Sequence, residues 1–485
     1  HKDATCTEPG NERWTATGSY SKTGDAQYNG EAQAKDYAIP ATGLHTFADD
    51  DLAQGHCTVC NHGFFRYTAE EKVEPRTPEN LKDAEGQCIY DKEKHTFDGK
   101  NGVMEFDKPL VTIGEKAFFG RYKFTGDLII PNTVTTIENY GFNGCEGYTG
   151  NLIIPSSVTT IGEYAFCFCN FTGNLTIPNN INLGKSAFAN CKGFNGTLTV
   201  STPNIGESAF DGCSGFTELI LSNSVETIGK NAFQGCSSFS GNLNIPGSVT
   251  SIGYGAFSGC SGFTGDLTIP NSVTSVASIA FRGCSGFNGN LTIPNDIDKI
   301  EFAVFKGCSG LTGTLTIPSS VKEIGNSAFD GCAGLTGNLT IPSSVTSIEW
   351  EAFRGCSGFT GIEMNSVPQI GTDAFNSVNC TKAVVLSDDS YVYTGSNPYF
   401  PTVASVTAPC TLDLTGSVVE NHANLTRTHN YTNNTLTASP IEDGLYAYAC
   451  DNGCGTHTDD HIIKDFNGEG NHLELTTDGS GNYTA

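Results

Sequence analysis

Apolar residues in the middle of the chain fall in short bursts that recur at a nearly fixed interval. Aligned on Ala-Phe-x-x-Cys, the sequence places Phe at 142, 166, 188, 210, 233, 257, 281, 305, 329 and 353, each followed three residues later by Cys. The steps are 22 to 24 residues, and 24 is the commonest. Phe118 and Phe375 extend the series without that cysteine, as the atypical terminal copies of a repeat array do. In a typical copy Leu267 and Ile269 alternate with Asp266 and Thr268, the period of a short half-buried strand. Pro270 ends that strand because it has no N–H to donate. Val273 and Val276 are three apart, a spacing closer to a helical turn or an irregular arc. Gly283-Cys284-Ser285-Gly286 turns the chain back toward the next strand.

Such a unit must stack. The apolar side chains of one copy cannot offset the entropy of ordering 24 residues, so each coil needs neighbours above and below it. Length variation falls at the strand entrance: Phe216-Thr-Glu-Leu219 is one residue shorter than Phe263-Thr-Gly-Asp-Leu267. The extra residue sits beside a glycine and predicts a bulge, with the core unchanged.

The run Leu-Thr-Ile-Pro-x-Ser-Val-Thr-x-Ile-Gly-x-x-Ala-Phe-x-x-Cys resembles the BspA-type leucine-rich repeat of bacterial surface proteins. The resemblance covers 101–386 and implies a curved, parallel-stranded, β-rich leucine-rich-repeat solenoid of about 12 repeats. It further implies export to the cell surface and a role in adhesion to host matrix proteins or other cells, without naming a ligand. The 24-residue period, with its extra glycine, is slightly longer than the family's usual unit.

Two flanks complete the expected layout. Residues 1–100 read as a cysteine-containing module, with Cys57-Thr-Val-Cys60, then a charged linker from Glu70 to Lys82 and Cys88; a cap strand is predicted at Val103 to Phe106. Residues 387–485 lose the periodicity and carry short Tyr- and Thr-rich runs between Asn, Asp and Gly, as in a small β-rich module. There Cys450-Asp-Asn-Gly-Cys454 echoes the first pair.

Charge narrows the partners. A formal net charge of −26 over 485 residues offers no electrostatic footprint for phosphate backbones or anionic lipid. No stretch approaches the roughly 20 apolar residues that span a bilayer, so membrane insertion is not expected. The chain opens on His1 without a basic-then-apolar leader and is read as a mature product from which an export signal has been removed. A secreted or cell-surface location with an extracellular protein or cell-surface ligand is what the resemblance implies.

Candidate chemistry is sparse. The ten ladder cysteines would stack about 4.7–4.9 Å apart, too far for Cβ atoms that a disulfide holds near ~3.8 Å, and are read as buried thiols filling space. Cys167 is expected to face differently and to be exposed. Cys57 and Cys60, with His56, His62 and Cys88 nearby, and Cys450 and Cys454, with His457 and His461, have the ligand types of zinc sites. A disulfide or free thiols are the alternatives at each pair, and no other cofactor is implied. All ten histidines lie outside 101–400, which removes Ser-His and Cys-His catalysis from the repeats. The carboxylates form no recognisable acid/base motif, and no catalytic residue is assigned. The outward strand positions form two candidate binding rows. One runs from Thr176 through Thr268, Thr292, Thr316 and Thr340; the other runs from Asn174 through Asp266, Asn290 and Asn338. The plainer reading is that they keep a solvated sheet face from aggregating, and no aromatic platform accompanies them. A non-enzymatic binding or adhesion scaffold is therefore expected. The alternatives are a cell-surface hydrolase with its site outside the repeats, and a purely structural spacer.

Overall fold

The computed structural model describes residues 63–380, together with the backbone of short strands between 382 and 484. Among the described residues there is no α-helix, and two single-turn 3-10 helices occur at Pro78–Asn80 and Lys92–Lys94. The architecture is the predicted parallel-stranded β-solenoid. It forms two compact units, one ending at Phe194 and the other starting at Asn195.

The first unit opens on an antiparallel cap. Strand Gly63–Ala69 pairs with Asn101–Phe106, which also pairs with His95–Phe97, so the cap strand expected at 103–106 is present. The cap then closes on the first coil, where Thr68 pairs with Thr125 and Leu81 with Ile113, both antiparallel. This matters because an exposed parallel edge is a template for unwanted pairing, and the antiparallel strands satisfy it. Phe65 continues the cover inside, stacking 5.0 Å from Phe118. Coils then follow in parallel register at Thr112–Ile113, Thr136–Ile137, Thr160–Ile161 and Asn182–Leu183.

In the second unit the inter-coil hydrogen bonds fall into three ladders. The first is the predicted Leu-Thr-Ile strand, as where Leu267–Thr268 pairs with Leu291–Thr292. Farther along, the register shifts between Gly337 and Asn338, at the extra glycine that predicted a bulge. Pro270 then accepts from the N–H of Val273 at 3.0 Å, and the arc expected around Val273 and Val276 resolves into this turn and a second strand. That second ladder links Asn204–Ile205, Thr227–Ile228, Ser251–Ile252 and Ser275–Val276, then Lys299–Ile300, Glu323–Ile324, Ser347–Ile348 and Gln369–Ile370. A strand of two residues is too short for alternation to announce it.

The third ladder lies at the Ala-Phe corner. Ile279, Phe281 and Gly283 donate their N–H groups to the carbonyls of Phe302, Val304 and Lys306 in the next coil, at 2.8–2.9 Å. The intervening N–H groups close tight turns within the coil, as from Cys284 to Phe281 at 3.2 Å. This geometry needs left-handed backbone on both sides of the phenylalanine. Ile279 has φ 53° and Gly283 φ 74°; Ser327 and Glu351 repeat the first position at 55° and 56°. A β-branched residue there costs of order 1–3 kcal/mol and persists only where the surroundings over-determine it. Here the neighbouring coils supply that constraint.

Phenylalanine columns fill the interior. Phe210, Phe233, Phe257, Phe281, Phe305, Phe329, Phe353 and Phe375 stack with centroids 5.2–5.9 Å apart. Phe239 and Phe263 form part of a second column at 5.2 Å. In the first unit Phe118, Phe142, Phe166 and Phe188 stack at 5.1–5.4 Å.

Candidate functional site

The outward strand positions separate into two rows with different chemistry. Asp266, Thr268, Asn290, Thr292, Thr316, Asn338 and Thr340 are all exposed, while Leu267, Leu291, Leu315 and Leu339 between them point inward and are buried. In the acidic and amide row the side chains are committed to holding coils together. Oδ1 of Asp266 accepts from the backbone N–H of Asn290 at 2.6 Å and from its side-chain amide at 3.3 Å. Asn338 donates to Glu363 at 3.4 Å. Asp127 and Asn151 repeat the first clamp in the first unit.

The threonine row is different. Thr268 pairs in register with Thr292 and Thr316 with Thr340, and Thr340 is followed by Glu363. Among the described residues no protein group bonds to these four hydroxyls. At 4.7–4.9 Å per coil the four span about 14 Å, a flat, uncharged file of donors and acceptors with its neighbouring row already satisfied.

The ladder thiols face the other way. Cys145, Cys169 and Cys191 in the first unit, and those from Cys213 to Cys356 in the second, are buried and form no disulfide. They do more than fill space. Each Sγ of Cys260, Cys284, Cys308, Cys332 and Cys356 donates to the carbonyl of the corner phenylalanine one coil back, at 3.1 Å. The Phe281 carbonyl thus accepts from its own coil through the N–H of Cys284 and from the next through Cys308. Burial pushes the Cys308 thiol up to about 12 and holds Cys236, Cys284 and Cys332 well above the usual thiol range. Nucleophilic thiolate is therefore suppressed. With iodoacetamide at mildly alkaline pH, native protein should be alkylated at exposed Cys88, while Cys284 and Cys308 react only after denaturant is added. Peptide mass spectrometry checks this; labelling of native Cys308 as fast as Cys88 would contradict the burial argument.

Cys167 departs from expectation. It is buried at 2% exposure, and its neighbour Phe168 is 51% exposed with φ 60°. Phe166-Cys-Phe-Cys169 is a corner in left-handed backbone, and there Phe168 rather than Cys167 turns outward.

The family model described as the BspA type leucine rich repeat region matches in six copies, over residues 93–213, 203–336 and 288–400. The chain belongs to the BspA-type leucine-rich-repeat family. A leucine-rich repeat protein of Bacteroides ovatus is 25% identical over 60% of this chain and 85% of its own, with a TM-score of 0.44. A leucine rich cell surface protein from Faecalibacterium prausnitzii is 21% identical, over 62% and 97%, with a TM-score of 0.34. The pneumococcal vaccine antigen PcpA is 18% identical, over 65% and 85%, with a TM-score of 0.38. Comparison with curated proteins finds no match.

In this BspA-type array several further polar groups have structural partners. His95, the one histidine whose side chain is described, is buried between the hydroxyls of Tyr67 at 2.7 Å and Tyr90 at 3.0 Å. Burial, and secondarily Lys72, pulls its pKa down to about 4. Asp330 draws Lys306 and Arg354 together at 2.7 Å each, and Arg354 also pairs with Glu351. Among the described residues no group of three His, Cys, Asp or Glu side chains could hold a metal ion. No helix there is long and apolar enough to cross a membrane. The zinc, disulfide and free-thiol alternatives at Cys57, Cys60, Cys450 and Cys454 lie outside the described residues. Repeat alignment missed one feature: Tyr254, Phe302 and Trp350 are 45–48% exposed at the same repeat position on alternate coils. Counting back three residues from each corner Phe would have found them.

Proposed function

We propose that this chain is a non-enzymatic extracellular binding scaffold at a bacterial surface. Its repeats present the threonine row to a protein partner, with host matrix proteins the expected class. The observation that carries this reading is that Thr268 and Thr292, and Thr316 and Thr340, are exposed and pair in register, with hydroxyls to which no protein group bonds among the described residues. The adjacent Asp and Asn side chains are already spent on inter-coil bonds. Rigidity supports the same reading, because a partner meeting a file fixed by backbone ladders loses little freedom in the scaffold. Net charge favours partners that are neutral or basic.

The test is surface plasmon resonance of the full chain against immobilised fibronectin, fibrinogen, laminin and collagen. Replacing the four threonines by lysine is expected to weaken binding at least about tenfold, the effect of losing roughly 1.4 kcal/mol, with the melting temperature unchanged. Absence of binding to every protein, or equal binding by the variant, would remove this function.

A further inference from the structure

The second unit carries a second file of outward positions, on the arc between the short second strand and the Ala-Phe corner, with exposed aromatic residues and half-buried polar ones alternating. At the position three residues before the corner Phe stand Tyr254, Ser278, Phe302, Asn326 and Trp350 in successive coils. Their register is set by backbone. The carbonyls of Tyr254, Ser278, Phe302, Asn326 and Trp350 accept in turn from Asn231, Gly255, Ile279, Ala303 and Ser327, at 2.8–3.1 Å. Consecutive members are therefore one coil apart.

The three aromatic rings are 45%, 47% and 48% exposed, and among the described residues none stacks on another ring. Ser278 and Asn326 hold the intervening coils. Aromatic platforms thus recur every two coils, about 9.4–9.8 Å, and the first and last are about 19 Å apart. Lys230 and Thr372 occupy the same position on the coils beyond, so the file has three platforms and polar ends.

We propose that this file binds an extended, neutral β-1,4-linked hexopyranose chain. The electron-rich face of an aromatic ring attracts the positively polarised C–H groups on the flat face of a pyranose. In an extended β-1,4 chain alternate sugars present the same face, so equivalent faces recur every two sugars. That length is close to the two-coil interval. Ser278 and Asn326 lie where hydroxyls at the rim of the intervening sugar need hydrogen-bond partners. An α-1,4 chain coils away from a straight file. The charge of −26 disfavours uronate-rich or sulfated chains. A polyproline helix repeats about every 9.3 Å, but its ridges dock in grooves walled by aromatic residues, and a single file of separated platforms offers no such groove. This site goes beyond the protein-binding reading and uses none of the threonine row.

The experiment uses the full chain carrying Trp14→Phe, which leaves Trp350 as the single indole of the two in the sequence. Cellohexaose, mannohexaose and chitohexaose are titrated while Trp350 emission and binding heat are followed, with maltohexaose as the α-linked control. At least one β-1,4 hexasaccharide is expected to shift Trp350 emission, and maltohexaose is not. Tyr254→Ala and Phe302→Ala should each weaken that binding about tenfold without changing the melting temperature, since both side chains are exposed. The corresponding disaccharide should bind far more weakly, because it reaches one platform. The proposal is overturned if no β-1,4 hexasaccharide binds, if Phe302→Ala leaves affinity unchanged, or if a proline-rich peptide alone occupies the file. The four-lysine variant of the threonine row should keep glycan binding intact, so failure of the protein-binding reading and failure of this one are told apart.

Discussion

Replacing Phe281 by alanine is expected to lower the stability of the second unit by about 3–5 kcal/mol, the usual cost of deleting a buried phenyl ring. The ring is fully buried between Phe257 at 5.4 Å and Phe305 at 5.9 Å. Its backbone is pinned from both sides: the N–H donates to Val304, and the carbonyl accepts from Cys284 and Cys308. The surroundings cannot collapse into the space without breaking those bonds, so most of the cavity should persist. Because each coil is covered by its neighbours, the loss should spread to the interfaces with both adjacent coils. Urea unfolding followed by circular dichroism measures it, with Phe302→Ala as the exposed control, expected within about 0.5 kcal/mol of the parent. A loss below about 1 kcal/mol at Phe281 would mean that the phenylalanine column is not what holds the coils together.

Gly286→Ala is expected to be nearly as damaging, at about 3–4 kcal/mol, although it adds a single methyl group. A Cβ at Gly286 would lie 2.2 Å from the carbonyl oxygen of Ser261 and 2.5 Å from that of Phe263. Both obstacles are backbone of the preceding coil, so no side chain can turn aside to relieve the contact. The same close approach recurs at Gly262, Gly310, Gly334 and Gly358, and the coils can separate there only by lengthening the ladder bonds on either side. Thermal melting compares Gly286→Ala with Ser285→Ala, whose exposed side chain should make it close to neutral. Equal melting temperatures for the two variants would show that the coils are looser than their backbone contacts imply.

Much of the fold is legible in the residues. Leu267 and Ile269 alternate with Asp266 and Thr268, which fixes a short strand with one face inward, and the interval of Phe-x-x-Cys fixes stacking in register. The cap strand at 103–106 and the bulge at Gly337 also followed from local pattern. The candidate site was half legible. Alternation placed Thr268, Thr292, Thr316 and Thr340 outside, but could not separate them from Asp266 and Asn290, because the difference is a bond made between coils. The aromatic positions were legible in the repeat, since Tyr254, Phe302 and Trp350 each stand three residues before a corner Phe; their exposure and their alignment along one file come from the stacking of coils.

By itself the sequence determined the repeat, the strand that opens each coil, the inward phenylalanine and cysteine, and the acidic charge. These are properties of local period and of composition, and any fold of this chain must respect them. Tertiary structure alone decided the two-residue second strand, the left-handed backbone at residues as ill-suited to it as Ile279, the cysteine thiols donating to phenylalanine carbonyls a coil away, and which outward side chains remain free. Each of those depends on a partner about 24 residues distant in the chain and one coil away in space, so its energy exists only once the coils have stacked.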